Sequence, residues 1–217
     1  HLLTHDTRDD QILPVNFNSN NKCDIMIISG NTDNNSGVFE LNSNSNGLNM
    51  LFGTDFNVFQ RAYNYYLADF NGDGLTDLFY YKKDNGNVWR LRYCEGNKYS
   101  NEFTIENFNF GEPNSCNICY NNNLITTDFN GDGKSDLLWY YIVNQNSYCI
   151  PHYSIFYSVN RNQFSNTEYI FNDAGWKLEN ENRYRTEYLR SLPILDLNGD
   201  GNADLYNDIG WYMRNQN

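Results

Sequence analysis

Apolar and polar positions alternate in short runs along this chain. Residues 12–15, 24–28, 38–41 and 48–52 form one group of such runs. Residues 65–68, 78–82, 88–93 and 103–108 form a second, and 124–127, 137–143, 153–159 and 164–171 a third. Each run is rich in Val, Ile, Tyr, Phe or Trp and is bounded by Asn, Asp, Ser or Gly, which predicts a β-strand. Asp84-Asn85-Gly86-Asn87 reads as the hairpin turn between two of them. Four short antiparallel strands per group is the content of one propeller blade. The last group is short: 205–206 and 211–213 give two strands at most. Residues 172–190 fall outside the pattern and read as an added loop or a short helix.

One polar stretch recurs at the same place in each group, between its first and second strands. It reads DFNGDGLTDL at 69–78, DFNGDGKSDL at 128–137 and DLNGDGNADL at 196–205. A degenerate copy, NFNSNNKCDI, occupies 16–25. Self-similarity at this period indicates a repeat architecture. We place the repeats at about 12–60, 61–118, 119–190 and 191–217, in one domain. The expected fold is all-β, with four-stranded antiparallel blades, three complete and one partial.

The loop is chemically legible. Oxygen side chains fall at positions 1, 3, 5 and 9: Asp69, Asn71, Asp73 and Asp77; Asp128, Asn130, Asp132 and Asp136; Asp196, Asn198, Asp200 and Asp204. Position 7 varies (Leu75, Lys134, Asn202), as expected if it offers only its backbone carbonyl. Hard oxygen ligands of this number suit Ca²⁺ better than Mg²⁺, which keeps several waters. About three Ca²⁺ are expected, one per intact loop. Asn-Gly and Asp-Gly alone would be turn chemistry. A turn does not explain three Asp at identical offsets in three copies, which repel one another without a cation. The degenerate copy retains only Asp24 as a charge and reads as a loop kept for its shape. An EF-hand needs an acidic residue at position 12 and flanking helices. Here position 12 is Tyr80, Trp139 or Asn207, within strand-like sequence.

The pattern D-x-N-G-D-G-x-x-D-L followed by a strand resembles the FG-GAP/VCBS repeat of integrin-α-like β-propellers. The resemblance implies a loop that binds Ca²⁺ at the base of each blade. It also implies adhesion, lectin-like or scaffolding roles more often than catalysis.

Composition narrows the functional classes. The chain has 217 residues, 17% aromatic, with 18 Tyr, which is too aromatic for disorder. A net charge of −12 argues against nucleic acid and anionic membranes as partners. No apolar run has the length of a membrane span. The first residue is His1 and no signal peptide is evident, so a mature or excised piece, a fragment of a larger propeller, is expected.

Five cysteines are present. Cys23 falls at loop position 8, where other copies carry Thr76, Ser135 and Ala203, and is expected as a free, packed thiol. Cys94, Cys116, Cys119 and Cys149 are expected as disulfides, since loops of this type suit millimolar Ca²⁺ and an oxidising, extracellular setting. A single CxxC, Cys116 to Cys119, is weak evidence for zinc.

No Ser/His/Asp or metal-ligand pattern surrounds His1, His5 or His152, so no enzyme is expected. Trp89 and Trp139 lie in strands and read as core. Trp176, Tyr184 and Tyr188 lie in the insertion and are the candidate ligand contacts, since Tyr and Trp offer rigid amphipathic area. The expected function is a secreted or cell-surface adhesion or lectin-like module with a glycan or protein ligand. The alternative is a propeller domain of a larger secreted enzyme, of polysaccharide lyase type, or of a bacterial toxin shell.

Overall fold

The computed structural model describes residues 11–28, 36–42, 47–53, 65–82, 88–105, 123–145, 148–160, 163–170, 176–177, 194–196, 199–200, 203–207 and 210–212. These residues form strands and loops, with no helix among them. Accordingly, no described helix is long and apolar enough to cross a membrane.

The strands are β1 (Gln11–Val15), β2 (Asp24–Ile28), β3 (Gly37–Asn42), β4 (Gly47–Gly53), β5 (Tyr65–Ala68), β6 (Asp77–Lys82), β7 (Val88–Arg92), β8 (Phe103–Thr104), β9 (Asn123–Thr127), β10 (Asp136–Gln145), β11 (Tyr148–Asn160), β12 (Gln163–Ile170), β13 (Trp176–Lys177), β14 (Ile194–Leu195), β15 (Asp204–Asn207) and β16 (Gly210–Tyr212). They make antiparallel meanders in chain order: β1-β2-β3-β4, β5-β6-β7-β8, β9-β10-β11-β12 and β14-β15-β16. Each of the first three has the strand order of one propeller blade. The last differs from the sequence expectation of two strands at most, because Ile194 pairs with Leu205 and adds β14.

The insertion contributes one described element. Its Trp176 and Lys177 pair with Cys149 and Tyr148, so β13 extends the far end of β11 beyond the reach of β12. Trp176 and Lys177 are strand; the rest of the insertion lies outside the described residues. Tyr184 and Tyr188 lie outside the described residues, as do the predicted turn at 84–87 and residues 106–108.

Two compact units emerge: residues 1–69 with 73–105, and residues 70–72 with 106–217. In the first unit, alternation along β6 decides what each face buries. Leu78 and Tyr80 point to one side and join Val15, Phe17, Met26, Ile28, Val38, Leu75, Cys94 and Tyr99 in a buried cluster. Phe79 and Tyr81 point to the other side, where Trp89 stacks on Phe79 at 4.8 Å and 10°. Tyr66 and Tyr81 pack on the same indole. Ring pairs of this kind contribute about 0.5–1.5 kcal/mol each beyond area burial. Trp89 is therefore core, as its strand position predicts. In the second unit Phe129, Leu137, Leu138, Ile155, Phe156 and Phe164 are buried, with Phe70 edge-on to Phe164. Trp139 of β10 is only half-buried.

Candidate functional site

The first three loops are wound alike, and the described residues of the fourth follow them at position 1. In the second copy Asp69 accepts the backbone N–H groups of Asp73 and Gly74, at 3.2 and 2.6 Å. Asp73 then accepts the N–H of Leu75 at 2.8 Å. In the third, Asp128 Oδ1 accepts from Asn130, Gly131 and Asp132, and its Oδ2 accepts from Gly133. Asn130 caps Asp132, and Asp132 caps Lys134. In the fourth, Asp196 accepts from Gly199 and Asp200. Positions 1, 3 and 5 therefore turn inward over their own backbone, as their odd spacing predicts.

The winding needs a left-handed backbone at positions 4 and 6. Gly72 and Gly74 have φ of 79° and 81°, and Gly131 and Gly133 have 73° and 81°. The degenerate copy keeps the shape without glycine: Ser19 and Asn21 stand at φ 54° and 61°. Its Asn18 and Asn20 make the same caps, to the N–H groups of Asn20 and Lys22.

Position 9 has a different environment from the other ligand positions. Asp24, Asp77 and Asp136 are completely buried. Asp136 Oδ2 accepts the N–H of Phe129 at 2.9 Å and Oδ1 that of Ser158 at 2.8 Å. Asp77 Oδ1 accepts the N–H of Cys94 at 2.8 Å, and Asp24 Oδ2 that of Phe17 at 3.1 Å. In the second and third repeats this carboxylate ties the loop to its blade. Burial first, then the neighbouring Asp132 and Asp128, push the Asp136 carboxyl up to about 6, against the pull of its two backbone donors. Burial likewise raises Asp24.

Each tie is passed on to the preceding loop. Ser158 Oγ donates to the Phe70 carbonyl at 2.7 Å. In the first unit Cys94 Sγ donates to the Phe17 carbonyl at 3.1 Å. Phe17 and Phe70 both hold loop position 2, so Cys94 and Ser158 are equivalent residues of successive repeats. Asn16, at position 1 of the first loop, also reaches the second: its Nδ2 donates to Gly74 O at 2.5 Å and its N–H to Thr76 Oγ1 at 2.8 Å. Thr76 N–H returns a bond to Asn16 O at 2.8 Å.

Cys94 corrects the expected disulfide pattern. It is a free, buried thiol whose ionisation burial pushes up to about 12. Buried in the first unit's cluster and engaged with Phe17, it belongs to the core and not to a cross-link. Cys23 is free as expected, but it is exposed and not packed. Cys116 and Cys119 lie outside the described residues, as do Asn198 and Asn202. Cys149, Asp204 and Trp176 are placed by their backbones alone.

Residues 69–139 match the FG-GAP-like repeat family. Over about a third of the chain, the sequence is thus similar to an FG-GAP-like repeat. The match begins at the second loop and runs through the third into β10, so both intact loops with described side chains fall inside it. FG-GAP-like repeats are typical of extracellular or surface proteins of adhesion type. No curated protein sequence matches the chain.

The FG-GAP-like loops present a donor set of hard oxygens with unbalanced charge. No three carboxylate, imidazole or thiol groups converge as a metal cluster among the described residues. The loop oxygens instead accept backbone N–H groups. Yet each carboxylate oxygen carries two acceptor sites, and one N–H occupies only one of them. Burial, and after it the charges of Asp132 and Asp128, raise the cost of ionising Asp136, a strain that a divalent cation relieves. The residues present therefore fit Ca²⁺ in chemistry.

Proposed function

We propose that this chain is a calcium-stabilised, extracellular β-propeller module that recognises a glycan and has no catalytic role. One observation carries the reading most: the same inward-wound acidic loop is built in successive blades and lies in an FG-GAP-like repeat. In this reading Asp69, Asn71, Asp73, the Leu75 carbonyl and Asp77 hold one ion. Asp128, Asn130, Asp132, the Lys134 carbonyl and Asp136 hold a second, and the corresponding set from Asp196 to Asp204 a third. Bound Ca²⁺ would supply positive charge to offset the loop carboxylates. The chain's own residues do the rest. Positions 1, 3 and 5 hold the loop closed, and position 9 reaches the backbone of Cys94, just past β7, or of Ser158 in β11.

Ligand recognition is assigned to the insertion. Trp176 stands on the free end of β11 beside Cys149, and Tyr184 and Tyr188 follow it in sequence. Loops held by a rigid scaffold are where binding residues concentrate.

Calorimetric titration of the metal-free protein with Ca²⁺ tests the metal. Three ions are expected, and Asp132→Ala is expected to remove one of them. A glycan array with wild type and Trp176→Ala tests the ligand. Binding to no saccharide would leave a scaffolding role in its place.

A further inference from the structure

The degenerate first loop grips the backbone of the second. Asn16, at position 1 of the first loop, makes three hydrogen bonds to the next repeat. Its Nδ2 donates to the Gly74 carbonyl at 2.5 Å, and its N–H donates to Thr76 Oγ1 at 2.8 Å. Its carbonyl accepts the Thr76 N–H at 2.8 Å. These contacts fall at positions 6 and 8 of the second loop. They bracket Leu75, whose carbonyl is a ligand in the proposed calcium site.

The bracket fixes both peptide planes around Leu75. A trans peptide unit is planar, with its C=O and N–H on opposite sides. The Gly74 carbonyl and the Leu75 N–H share one plane. Asn16 holds the carbonyl, and Asp73 Oδ1 accepts the N–H at 2.8 Å. The Leu75 carbonyl and the Thr76 N–H share the next plane. Because the Asn16 carbonyl holds that N–H, the Leu75 carbonyl faces away from Asn16. The Leu75 side chain is buried in the first unit's cluster, a further restraint on the residue. Asn16 is itself anchored through its neighbour. Phe17 is buried, donates its N–H to Asp24 Oδ2 and accepts Cys94 Sγ at its carbonyl.

Hydrogen-bond chemistry accounts for Asn at this position. The three intact copies carry Asp there: Asp69, Asp128 and Asp196. An ionised Asp has no donor and would set a carboxylate oxygen against the Gly74 carbonyl. The Asn amide supplies the N–H that this carbonyl accepts. The first loop's loss of charge at position 1 is therefore also the gain of a clasp on the second loop.

We propose that Asn16 is a positioning residue for the second acidic loop, holding the Leu75 carbonyl in place before a divalent cation arrives. This role rests on the calcium reading above. A carbonyl already held needs less ordering on binding, so the clasp raises affinity at this loop alone. The coupling is reciprocal, so Ca²⁺ in the second loop tightens the clasp.

NMR titration of the intact, metal-free protein with Ca²⁺ tests this, because the amide signals of Gly74 and Gly133 read the second and third loops separately. Asn16→Ala and Thr76→Val are expected to weaken Ca²⁺ about threefold to tenfold at the second loop and to leave the third within about twofold of wild type. Thr76→Ser keeps the hydroxyl and should bind as wild type does. Hydrogen exchange gives a second readout: Ca²⁺ should slow exchange of the Thr76 amide in wild type, and slow it less in Asn16→Ala. Should Asn16→Ala fail to fold, Thr76→Val carries the test. Wild-type affinity at the second loop in both variants overturns the positioning role and leaves the calcium reading standing; melting temperatures lowered equally in EDTA and in Ca²⁺ would then mark the contacts as structural alone. Equal weakening at both loops also overturns it. Ca²⁺ bound at neither loop of the wild type overturns the calcium reading, and the positioning role with it.

Discussion

At the scale of single residues, the pairing of Cys94 with Ser158 shows how one slot accepts two chemistries. Both N–H groups donate to a buried position-9 carboxylate, and both side chains donate to a position-2 carbonyl. Ser158 is thus the precedent for a Cys94→Ser variant, whose stability is expected within about 1 kcal/mol of wild type. Cys94→Val leaves the buried Phe17 carbonyl without its donor and should cost about 1–3 kcal/mol in urea denaturation. The thiol adds a pH signature. Its folded value is raised from an ordinary 9.0 to about 12, so the unfolded chain ionises first. Below pH 9 the thiol has no effect on stability; between 9 and 12 stability falls as pH rises. Cys94→Ser should lose that component of the alkaline decline, and an identical decline in both proteins would refute the assignment. In the folded protein an alkylating reagent should label exposed Cys23 and spare Cys94.

At the scale of elements, the loops and strands differ in how far sequence alone reveals them. Positions 1, 3 and 5 are legible because their offsets never change. Cys94 and Ser158 are not, because they follow their aspartates by 17 and 22 residues across hairpins of unequal length. β5 is read to the residue at 65–68, where the apolar run and the strand coincide. β11 is read too short, at 153–159 against Tyr148–Asn160, because Pro151 and the polar stretch before it argue against a strand. The hairpin ladder overrides both, pairing Pro151 with Ile142 and Tyr148 with Gln145. Backbone conformation at loop positions 4 and 6 gives the prediction at this scale. Ser19 holds a left-handed φ that costs a non-glycine residue about 1 kcal/mol or more. Ser19→Gly relieves that strain but loosens the unfolded chain, so a net gain of up to about 1 kcal/mol is expected. Gly133→Ser is the reverse case, at φ 81° with open space for a Cβ, so only the backbone resists it. It should lose about 1–3 kcal/mol. Equal melting temperatures for the two variants would contradict this account of the winding.

At the scale of the whole molecule, the balance of charge sets the dependence on metal. The chain carries −12, and nine of its aspartates sit at positions 1, 5 and 9 of the three acidic loops. Without a cation, the second and third loops place like charge near a carboxylate buried at position 9; Asp136 is raised first by that burial and then by Asp132 and Asp128. On the proposed function, Ca²⁺ binding to the folded loops is expected to stabilise the fold by mass action, since the unfolded chain presents no such cage. Extracellular calcium modules bind with dissociation constants of about 10⁻⁴–10⁻³ M. At about tenfold excess over the dissociation constant, each site adds roughly 1.4 kcal/mol, and three sites add about 4 kcal/mol. For a chain of this length that corresponds to a rise in melting temperature on the order of ten degrees. Screening offers a control. In EDTA, added NaCl should recover part of the loss by weakening repulsion among the loop carboxylates, whereas at saturating Ca²⁺ it should add little. Mg²⁺ should recover less than Ca²⁺, because it gives up its waters reluctantly. A melting temperature that is the same in EDTA and in millimolar Ca²⁺ would show that the backbone N–H groups alone satisfy the loop oxygens, and that the acidic loops serve shape and not metal.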